Sequence, residues 1–512
     1  MQADSVQYQC DLLIVGGGIN GVGIARDAAG RGLSVVLCEK DDLAAHTSSA
    51  SSKLIHGGLR YLEYYEFSLV RKALLEREDL LRLAPHLISP LRFVMPLSPG
   101  LRPAWLLRLG LFVYDHLAPR QLLAGTENVQ FSQHFSGKCL KSYLKKGFLY
   151  SDAWVDDARL VILNALDAAE RGANILTHTR CDRLVQNDGR WLAHLSQKTP
   201  EGVRTIEVNA ACVVNATGAW AAQVQQLSDP GMQAKKLRLI KGSHIVVKKL
   251  FEHSYAYIFQ HPDGRIVFAI PYETEFTLIG TTDFEYKGNL DNLQISTQEI
   301  AYLCELSNQY FQQQIAATDV IHSYSGVRPL VDDGHVDAKS ITRDYKLEYV
   351  QNGAPILHVF GGKITTYRRL AEDAMSQIAP YFNQALSTWT KSACLPGGDI
   401  VSKQPNNENL IQLPQFLARC QQQYHWLPAA TVLRMVHAYG SRIHVVLADC
   451  FNEAGMGEQI LPGLYACEVK YLLTVEFANS AQDILWRRSK LGLHLTKDAE
   501  KVLDDWIVSH RS

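Results

Sequence analysis

The segment Gly16–Gly21 carries a clear chemical signal, because its glycines follow directly on the apolar run Leu12–Val15. A buried strand that ends in glycines and leads into a helix leaves backbone N–H groups at the positive helix end, which suits a pyrophosphate. Gly16 would permit the tight turn, Gly18 the approach to the phosphates, and Gly21 the packing of helix on strand. A glycine-rich turn without a ligand is the alternative. We expect a dinucleotide here, held by Gly16, Gly17, Gly18, Asn20 and Gly21.

A carboxylate at the end of the next expected strand narrows the identity of that ligand. The run Leu33–Cys38 is apolar, and Glu39 stands at its carboxyl end. A carboxylate in that place accepts hydrogen bonds from ribose hydroxyls and repels a 2′-phosphate. The pattern therefore favours a dinucleotide with an unphosphorylated adenosine ribose, FAD or NAD, over NADP.

The segment Ser48–Tyr61 concentrates side chains that could contact a flat ligand. It contains hydroxyl groups, a lysine, a histidine and an arginine around the pair Gly57 and Gly58. Two adjacent glycines between His56 and Arg60 allow a planar ring system to approach the backbone closely. A solvated loop leading into the next helix is the alternative, but such a loop has no need of this combination.

Three apolar runs that stop in glycines indicate where the nucleotide-binding elements lie. Besides Leu12–Val15 they are Ala211–Asn215, followed by Ala-Thr-Gly, and Leu357–Phe360, followed by Gly-Gly and a helix. Because these runs are far apart in the chain, we expect a discontinuous domain of the α/β class with a Rossmann-like fold that binds the dinucleotide. Its segments are residues 1–75, 150–228 and 325–385.

Two further regions differ in character from these segments. Between about Leu237 and Thr282 the runs are rich in β-branched and aromatic residues, which predicts an antiparallel sheet that faces the substrate. We assign residues 76–149 and 229–324 to this substrate- and membrane-facing domain. After Pro396 the sequence turns polar and helical, so residues 390–512 are expected to form a separate C-terminal helical domain.

Composition and charge limit the classes of partner. The chain carries 51 Lys and Arg against 52 Asp and Glu, so no overall field favours nucleic acid, and we expect no nucleic-acid partner. The 10 cysteines are scattered without a CxxC pair or a Cys/His cluster, which argues against disulfides and against a metal site. The N-terminus shows no signal peptide, and the apolar runs are too short to span a membrane, which predicts an intracellular protein.

The chain resembles the FAD-dependent glycerol-3-phosphate dehydrogenases, in their bacterial, aerobic and respiratory form. The string from His56 to Glu63, His-Gly-Gly-Leu-Arg-Tyr-Leu-Glu, is far more specific than the glycine turn. The resemblance covers nearly the whole chain. It runs through Gly16–Gly21, Thr47–Tyr61, Trp154–Leu160, Val214–Trp220, Lys241–Val247, Ile279–Asp283, Tyr324–Leu330 and Phe360–Arg368.

The resemblance implies that sn-glycerol 3-phosphate is oxidised at its secondary alcohol to dihydroxyacetone phosphate. Hydride would pass to the flavin of FAD, and a base would take the hydroxyl proton. The phosphate dianion needs fixed positive charge, for which the candidates are Arg60, Arg328 and Arg343, with Tyr61 also assigned to the substrate. We favour Arg328, because its surroundings are apolar and bounded by glycine and proline.

Two histidines compete for the role of the base. His244 lies on a predicted strand and could project toward the flavin, whereas His56 belongs to the flavin-contacting segment and could instead orient the ring or the substrate. A neutral imidazole suits either task, and a purely structural histidine is the alternative at both positions. We favour His244. Lys363 is expected to stabilise the anionic reduced flavin. The remaining cofactor contacts are expected from Glu39, Thr47, Ser48, Ser52, Lys53, His56, Gly57, Gly58, Thr217, Gly218, Gly362, Lys363 and Thr365.

In this family the electrons pass to ubiquinone, which requires contact with a membrane that the chain does not cross. The stretch Leu101–Leu117 is apolar and flanked by Arg92, Arg102, Arg108 and Arg120, a pattern that suits a helix lying on anionic lipid. A buried amphipathic core helix gives the same pattern. We expect a cytoplasmic protein bound peripherally to the cytoplasmic face of the inner membrane, with homodimer formation as an option.

Three other functions are compatible with parts of this pattern. A glycerol-3-phosphate oxidase would share the flavin and phosphate residues but pass the electrons to oxygen. An amine or amino-acid oxidase of the same broad flavoprotein fold would need one carboxylate-binding arginine rather than several cations. A non-catalytic nucleotide-binding protein would keep the glycine turn for structure alone and would purify without flavin.

Overall fold

The computed structural model describes residues 6–229, 231, 235–261, 264–331, 344–382 and 387–510 of the chain. The strands are β1 (Val6–Val15), β2 (Val35–Cys38), β3 (Leu54–Ile55), β4 (Ile88–Pro96), β5 (Glu127–Gln130), β6 (Lys146–Val155), β7 (Asn174–Leu176), β8 (Thr179–Asn187), β9 (Arg190–Thr199), β10 (Gly202–Asn215), β11 (Leu237–Lys248), β12 (Ala256–Gln260), β13 (Ile266–Tyr272), β14 (Phe276–Gly280), β15 (Phe284–Glu285), β16 (Val320–Val331), β17 (Lys346–Asn352), β18 (Ala354–Phe360), β19 (Gln459–Leu461) and β20 (Leu464–Tyr465).

The α-helices follow the segments with apolar residues at helical spacing. They are α1 (Ile19–Gly30), α2 (Phe67–Leu83), α3 (Ala104–His116), α4 (Asp157–Glu170), α5 (Ala221–Ser228), α6 (Thr297–Tyr310), α7 (Tyr367–Ile378), α8 (Asn407–Ile411), α9 (Leu413–Gln423), α10 (Ala429–Tyr439), α11 (Ile443–Val446), α12 (Ala466–Thr474) and α13 (Ala499–Ser509).

The first sheet has the strand order β17-β18-β10-β1-β2-β7. β1 runs parallel to β2 and β10, and β10 runs parallel to β18, so their carboxyl ends meet at one edge, where ligands bind in such sheets. α1 packs against α4 and α7, over a core that includes the fully buried Leu12, Ile14, Val22 and Leu163. This arrangement confirms the Rossmann-like domain assembled from distant segments.

The second sheet has the order β15-β11-β14-β13-β12-β4-β6-β3, with β16 added on β11 and β5 on β6. The pairs β11–β14, β13–β14, β12–β13 and β11–β16 are antiparallel, which confirms the predicted antiparallel sheet. β3, β6 and β16 belong to this sheet although each lies in, or reaches into, a range predicted for the nucleotide-binding domain. The two domains therefore share chain segments, and the predicted boundaries stay a prediction.

The C-terminal helices α8–α13 enclose a hydrophobic core of their own. It contains Phe416, Val436, Leu472 and Trp506, each at most 8% exposed, and this confirms the separate helical domain. Buried ion pairs join this domain to the nucleotide-binding domain, because Arg488 contacts Asp42 and Arg159 contacts Glu476.

Helix α3 excludes one of the two interpretations of the apolar stretch Leu101–Leu117, that of a buried core helix. Of its residues only Leu111 and Tyr114 are buried, whereas Trp105, Leu109 and Phe112 are 69%, 52% and 53% exposed. α3 therefore presents an apolar face outward and is not a buried core helix. Among the residues that the structure describes, no helix is both long enough and apolar enough to cross a membrane.

Candidate active site

A cavity of about 1030 Å³ is lined both by the glycine ends of the first sheet and by β11 and β16 of the second. It brings together most of the residues predicted from the sequence. These are Gly16, Gly18, Asn20, Glu39, Thr47, Ser48, Ser52, His56, Tyr61, Thr217, Gly218, His244, Arg328, Gly362, Lys363 and Thr365. Gly17, Gly21, Lys53, Gly57, Gly58 and Arg60 do not reach its lining, and Arg343 lies outside the described residues.

The glycine turn is built for a group that approaches the backbone closely. Gly16 has a φ of +113°, and a Cβ there would lie 2.6 Å from the Ala216 carbonyl oxygen. Gly18 caps α1 without a side-chain hydrogen bond, and a Cβ at this position would come within 3.1 Å of Ser48 Oγ. The positive end of α1 thus faces the cavity across a surface stripped of side chains, which fits the pyrophosphate of a dinucleotide.

Gly21 has the packing role that its spacing predicts. A Cβ at this position would lie 1.9 Å from the Gly16 carbonyl oxygen, far inside van der Waals contact. We expect Gly21→Ala to push α1 away from the turn and to raise the Kd for FAD at least about tenfold, since overpacking costs about 1–3 kcal/mol. Titration of the apoprotein, followed by flavin fluorescence, measures this. Gly110→Ala is the control, because a Cβ there meets nothing within 4 Å, and equal affinities for the two variants would contradict the prediction.

Glu39 is fixed at the carboxyl end of β2, where it lines the cavity. Its carboxylate accepts the N–H of Gly17 at 2.7 Å and that of Asp41 at 2.9 Å. Burial raises the pKa of this carboxyl, and the two backbone N–H donors oppose that shift. A carboxylate offers about four acceptor positions, so capacity remains for the ribose hydroxyls, whose contact with Glu39 stays a prediction.

The two glycines that follow β18 also line the cavity. Gly361 and Gly362 have φ values of +73° and +103°, and the Asn20 side-chain amide donates to the Gly361 carbonyl at 3.0 Å. This contact ties α1 to the segment that carries Lys363. Thr365 Oγ1 accepts the backbone N–H of His56 at 3.2 Å, so the same segment also positions the loop after β3.

His244 lies on β11 and is 3% exposed. Its Nε2 is 2.9 Å from Ser52 Oγ, and its ring stacks on that of Tyr324, with centroids 4.9 Å apart. A Cβ at Gly280, its neighbour on β14, would lie 2.1 Å from the imidazole, so the glycine makes room for the ring. Burial, with the charges of Lys53 and Arg328, lowers the pKa of His244 to about 3, which keeps the imidazole neutral.

Arg328 projects into the cavity from β16, the strand next to β11. Its side chain is 40% exposed, and its Nη2 lies 3.7 Å from Oδ1 of Asp283, which also lines the cavity. An arginine that is accessible inside a cavity offers a planar set of N–H donors to an anion. The arginine and the neutral histidine therefore share one cavity with the glycine turn.

His56, Tyr61 and Lys363 form a second group beside the first. The Lys363 ammonium lies 3.7 Å from the centroid of the Tyr61 ring, a cation–π contact. Burial lowers the pKa of His56 to about 3, and the charges of Lys363, Arg77 and Arg328 add to that shift. His56 is thus also neutral, so protonation state alone does not separate the two candidate bases.

Several predicted residues lie next to the cavity rather than in its lining. Lys53 is buried against Asp157 at 2.8 Å, and Gly57 donates its N–H to the Tyr114 hydroxyl at 2.8 Å. Arg60 directs Nη2 toward the Tyr64 hydroxyl at 3.4 Å.

Sequence reasoning missed Tyr324, Asp157 and Asp283 as supporting residues. The sequence could have indicated Tyr324, because side chains alternate between the two faces of a strand. Tyr324 and Arg328 are four residues apart on β16 and therefore share a face. Asp157 is far from Lys53 in the chain, and no local pattern connects the two.

Comparisons with known proteins agree with this geometry. A family model described as FAD dependent oxidoreductase matches residues 11–368. A second, described as the C-terminal domain of alpha-glycerophosphate oxidase, matches residues 388–508. A relative from Pseudomonas aeruginosa, named glycerol-3-phosphate dehydrogenase, is 50% identical over 98% of this chain and 95% of its own.

Two further relatives cover nearly the whole chain. The aerobic glycerol-3-phosphate dehydrogenase of Escherichia coli is 45% identical over 98% of this chain and 97% of its own. The D-erythritol 1-phosphate dehydrogenase of Brucella abortus is 46% identical over 97% of each.

Among solved structures, the glycerol-3-phosphate dehydrogenase of Bacillus halodurans complexed with FAD is similar in fold. Its TM-score is 0.77 at 27% identity, over 98% of this chain and 90% of the other. The similarity to these relatives and to a structure that holds FAD agrees with the geometry of the glycine turn, which fits a pyrophosphate. The chain therefore belongs to the FAD-dependent oxidoreductases, in the family of the bacterial glycerol-3-phosphate dehydrogenases, and its cofactor is FAD.

Proposed function

We propose that the protein oxidises sn-glycerol 3-phosphate to dihydroxyacetone phosphate and passes the electrons to ubiquinone. The observation that carries the proposal is the presence of His244 and Arg328 in the cavity that is also lined by Gly16 and Gly18 of the glycine turn. The names of relatives at 45–50% identity support the substrate. FAD, when bound, supplies the acceptor for a hydride.

Arg328 is the proposed anchor for the substrate phosphate. Its guanidinium is accessible in the cavity, with Asp283 at 3.7 Å on one side. Guanidinium groups bind phosphate oxygens through paired, charge-assisted hydrogen bonds. The predicted contributions of Arg60 and Arg343 stay predictions, because the first lies outside the cavity lining and the second outside the described residues.

His244 is the proposed base for the substrate hydroxyl. Its ring is held from two sides, by Ser52 Oγ and by the Tyr324 ring, whereas the His56 ring meets the Phe268 ring edge-on at 6.4 Å between centroids. A fixed, neutral imidazole can accept the proton of the substrate hydroxyl while hydride leaves the carbon that carries this hydroxyl. Lys363 adds positive charge to the cavity, which favours a flavin that gains negative charge on reduction.

Anaerobic addition of glycerol 3-phosphate to the purified protein tests the proposed activity. We expect the visible flavin absorbance to bleach, and flavin that stays oxidised would overturn the substrate assignment. D-erythritol 1-phosphate is the comparison substrate, since one relative at 46% identity carries that name. Faster bleaching by that compound would transfer the proposal to a longer polyol phosphate.

A glycerol-3-phosphate oxidase is the second candidate, because the C-terminal family model is described by such an enzyme. The two functions differ in the electron acceptor. We expect a soluble ubiquinone analogue to reoxidise the reduced protein much faster than oxygen does. Hydrogen peroxide formed at the rate of substrate turnover would favour the oxidase instead.

The exposed face of α3 is the proposed contact with the cytoplasmic face of the inner membrane. Trp105, Leu109 and Phe112 recur at helical spacing, and Tyr65, just past the adjoining turn Leu59–Tyr64, is 80% exposed. The flanking Arg92, Arg102 and Arg120 each pair with a carboxylate, so apolar burial rather than net charge would provide most of the attraction. Homodimer formation stays a prediction.

We expect the double variant Trp105→Glu/Phe112→Glu to lower partitioning onto lipid vesicles by at least roughly 100-fold. Burial of one such side chain contributes about 1.5–3 kcal/mol, and each 1.4 kcal/mol is a factor of ten. Co-sedimentation with vesicles measures the partitioning, and reduction of an artificial dye by glycerol 3-phosphate checks that the active site is intact. Phe451→Glu, at a site 85% exposed on the C-terminal domain, is the control. Equal binding by both variants would place the membrane contact elsewhere.

A further inference from the structure

Lys53 is a charged residue buried beside the active site without lining it. The exposure of its side chain is 2%, and that of its partner Asp157 is 0%. The ammonium contacts both carboxylate oxygens at 2.8 Å and the Ser49 carbonyl oxygen at 2.7 Å. Burying such a pair is costly, and it does not by itself indicate stabilisation of the fold. The sequence predicts Lys53 as a cofactor contact, but the structure directs its charge away from the cavity.

The same ion pair fixes the segment that holds His244. Asp157 accepts the Ser51 hydroxyl at 2.7 Å, and Ser51 Oγ accepts the Lys53 N–H at 2.9 Å. Lys53 has a φ of +59°, unusual for a residue with a side chain, so this local conformation depends on its surroundings. Ser52, between the two, places its hydroxyl on His244 Nε2.

Tyr324 connects the pair to the other side of the imidazole. Its hydroxyl donates to the Ser51 carbonyl at 2.9 Å, its ring stacks on His244, and the Lys53 ammonium lies 4.7 Å from the centroid of that ring. The Lys53–Asp157 pair therefore reaches His244 by two routes, through Ser52 and through Tyr324.

We propose that Lys53, paired with Asp157, is a positioning residue for the base His244. The proposal deepens the proposed function and rests on it for the role of His244. The charged groups that act on His244 are Lys53, from the segment between β2 and β3, and Arg328, from β16. Both disfavour an imidazolium, so the ring is neutral at neutral pH but also less basic, and the proposed contribution of Lys53 is therefore to the position of the ring and not to its basicity.

The matched pair of variants is Lys53→Met/Asp157→Asn and Lys490→Met/Asp156→Asn. Each removes one buried lysine and the charge of one carboxylate at the start of α4, since Lys490 contacts Asp156 at 3.1 Å. Asparagine keeps a hydrogen-bond acceptor for Ser51 in the first variant and for the Arg159 N–H in the second. The first variant removes the pair that is hydrogen-bonded to the Ser51–Lys53 segment, whereas the second removes a neighbouring pair whose charges act on Lys53 but leaves those hydrogen bonds in place.

For Lys53→Met/Asp157→Asn we expect one FAD per chain, a KM for glycerol 3-phosphate close to that of the original protein, and flavin reduction slowed roughly 10- to 100-fold. That is the range seen when partners that orient metal-binding histidines are removed. The pKa of His244, followed by NMR of protein labelled with 15N in its histidine rings, should rise because the Lys53 charge is gone, while burial and Arg328 keep it below its ordinary value. Lys490→Met/Asp156→Asn should change neither the rate of flavin reduction nor the pKa of His244.

A double-mutant cycle that combines Lys53→Met/Asp157→Asn with Ser52→Ala tests the route through Ser52, and one FAD per chain in each variant confirms that it is folded. If Lys53 acts largely through Ser52, its removal in the Ser52→Ala background should slow flavin reduction much less than in the original protein. Fully additive effects would overturn the route through Ser52, and loss of FAD from the Lys53 variant alone or an unchanged pKa of His244 would overturn the whole proposal. The titration of His244 needs no substrate. Failure of glycerol 3-phosphate to reduce the original protein would therefore overturn the proposed function separately.

Discussion

Arg328→Ala is expected to raise the KM for glycerol 3-phosphate roughly 100-fold while FAD stays bound. A hydrogen bond to a charged group contributes about 1.5–3 kcal/mol, and 1.4 kcal/mol corresponds to a factor of ten in affinity. The side chain is 40% exposed in the cavity, so its removal opens space without breaking a buried core. Stopped-flow flavin reduction over a range of substrate concentrations separates the loss of binding from a change in the limiting rate.

Two variants make this expectation specific for phosphate recognition. Arg328→Lys keeps the charge but loses the planar pair of donors, so we expect an intermediate KM. Arg369→Ala removes an arginine that is 50% exposed on α7 and pairs with Glu372 and Asp373, and it should leave the KM unchanged. A less than fivefold effect of Arg328→Ala would mean that other cations hold the phosphate, with Arg60 and Arg343 the next to test.

Local patterns in the sequence predict the parts of the site whose residues are neighbours in the chain, whereas His56, His244 and Lys363 receive their roles from the resemblance to a known family. The glycine turn and Glu39 each combine a strand end with a residue type, and the structure places both at the cavity as expected. Tyr324 and Asp157 act on His244 and Lys53 across 80 to 104 positions of sequence, and only the fold brings them together. Apolar spacing in α3 also could not distinguish core from surface, because both give the same period.

The assignment of Lys53 shows the same limit in another form. Its place in a segment rich in ligand-binding residue types predicts a cofactor contact, and the chemistry of a lysine fits that role. The direction of the side chain follows instead from the φ of +59° and from the carboxylate of Asp157, neither of which has a local signal. The residue type and its neighbours in the chain indicate a residue at the site, but the tertiary structure determines that the ammonium of Lys53 contacts Asp157.

Replacing His244 by asparagine is expected to slow flavin reduction by glycerol 3-phosphate about 1000-fold, with a much smaller effect on KM. General base catalysis by a positioned side chain contributes about 100- to 10,000-fold. Asparagine preserves most of the volume beside Gly280 and a hydrogen-bonding group for Ser52, but it cannot take a proton at neutral pH. His56→Asn is the matched control, since His56 lines the same cavity and is also neutral.

The pH dependence of the same reaction gives a second, independent expectation. Burial lowers the pKa of His244 to about 3, below its ordinary 6.5, so the neutral base is available at neutral pH and is lost only as the pH falls toward 3. In the unfolded chain this histidine binds a proton near pH 6.5, whereas in the folded protein it does so only near pH 3. The free energy of unfolding therefore decreases as the pH falls from about 6.5 to 3. An acid limb near pH 6.5 in the limiting rate at saturating substrate, where ionisation of the free substrate phosphate at about pH 6 no longer contributes, would assign the base to a group other than His244. A larger loss of rate in His56→Asn than in His244→Asn would do the same.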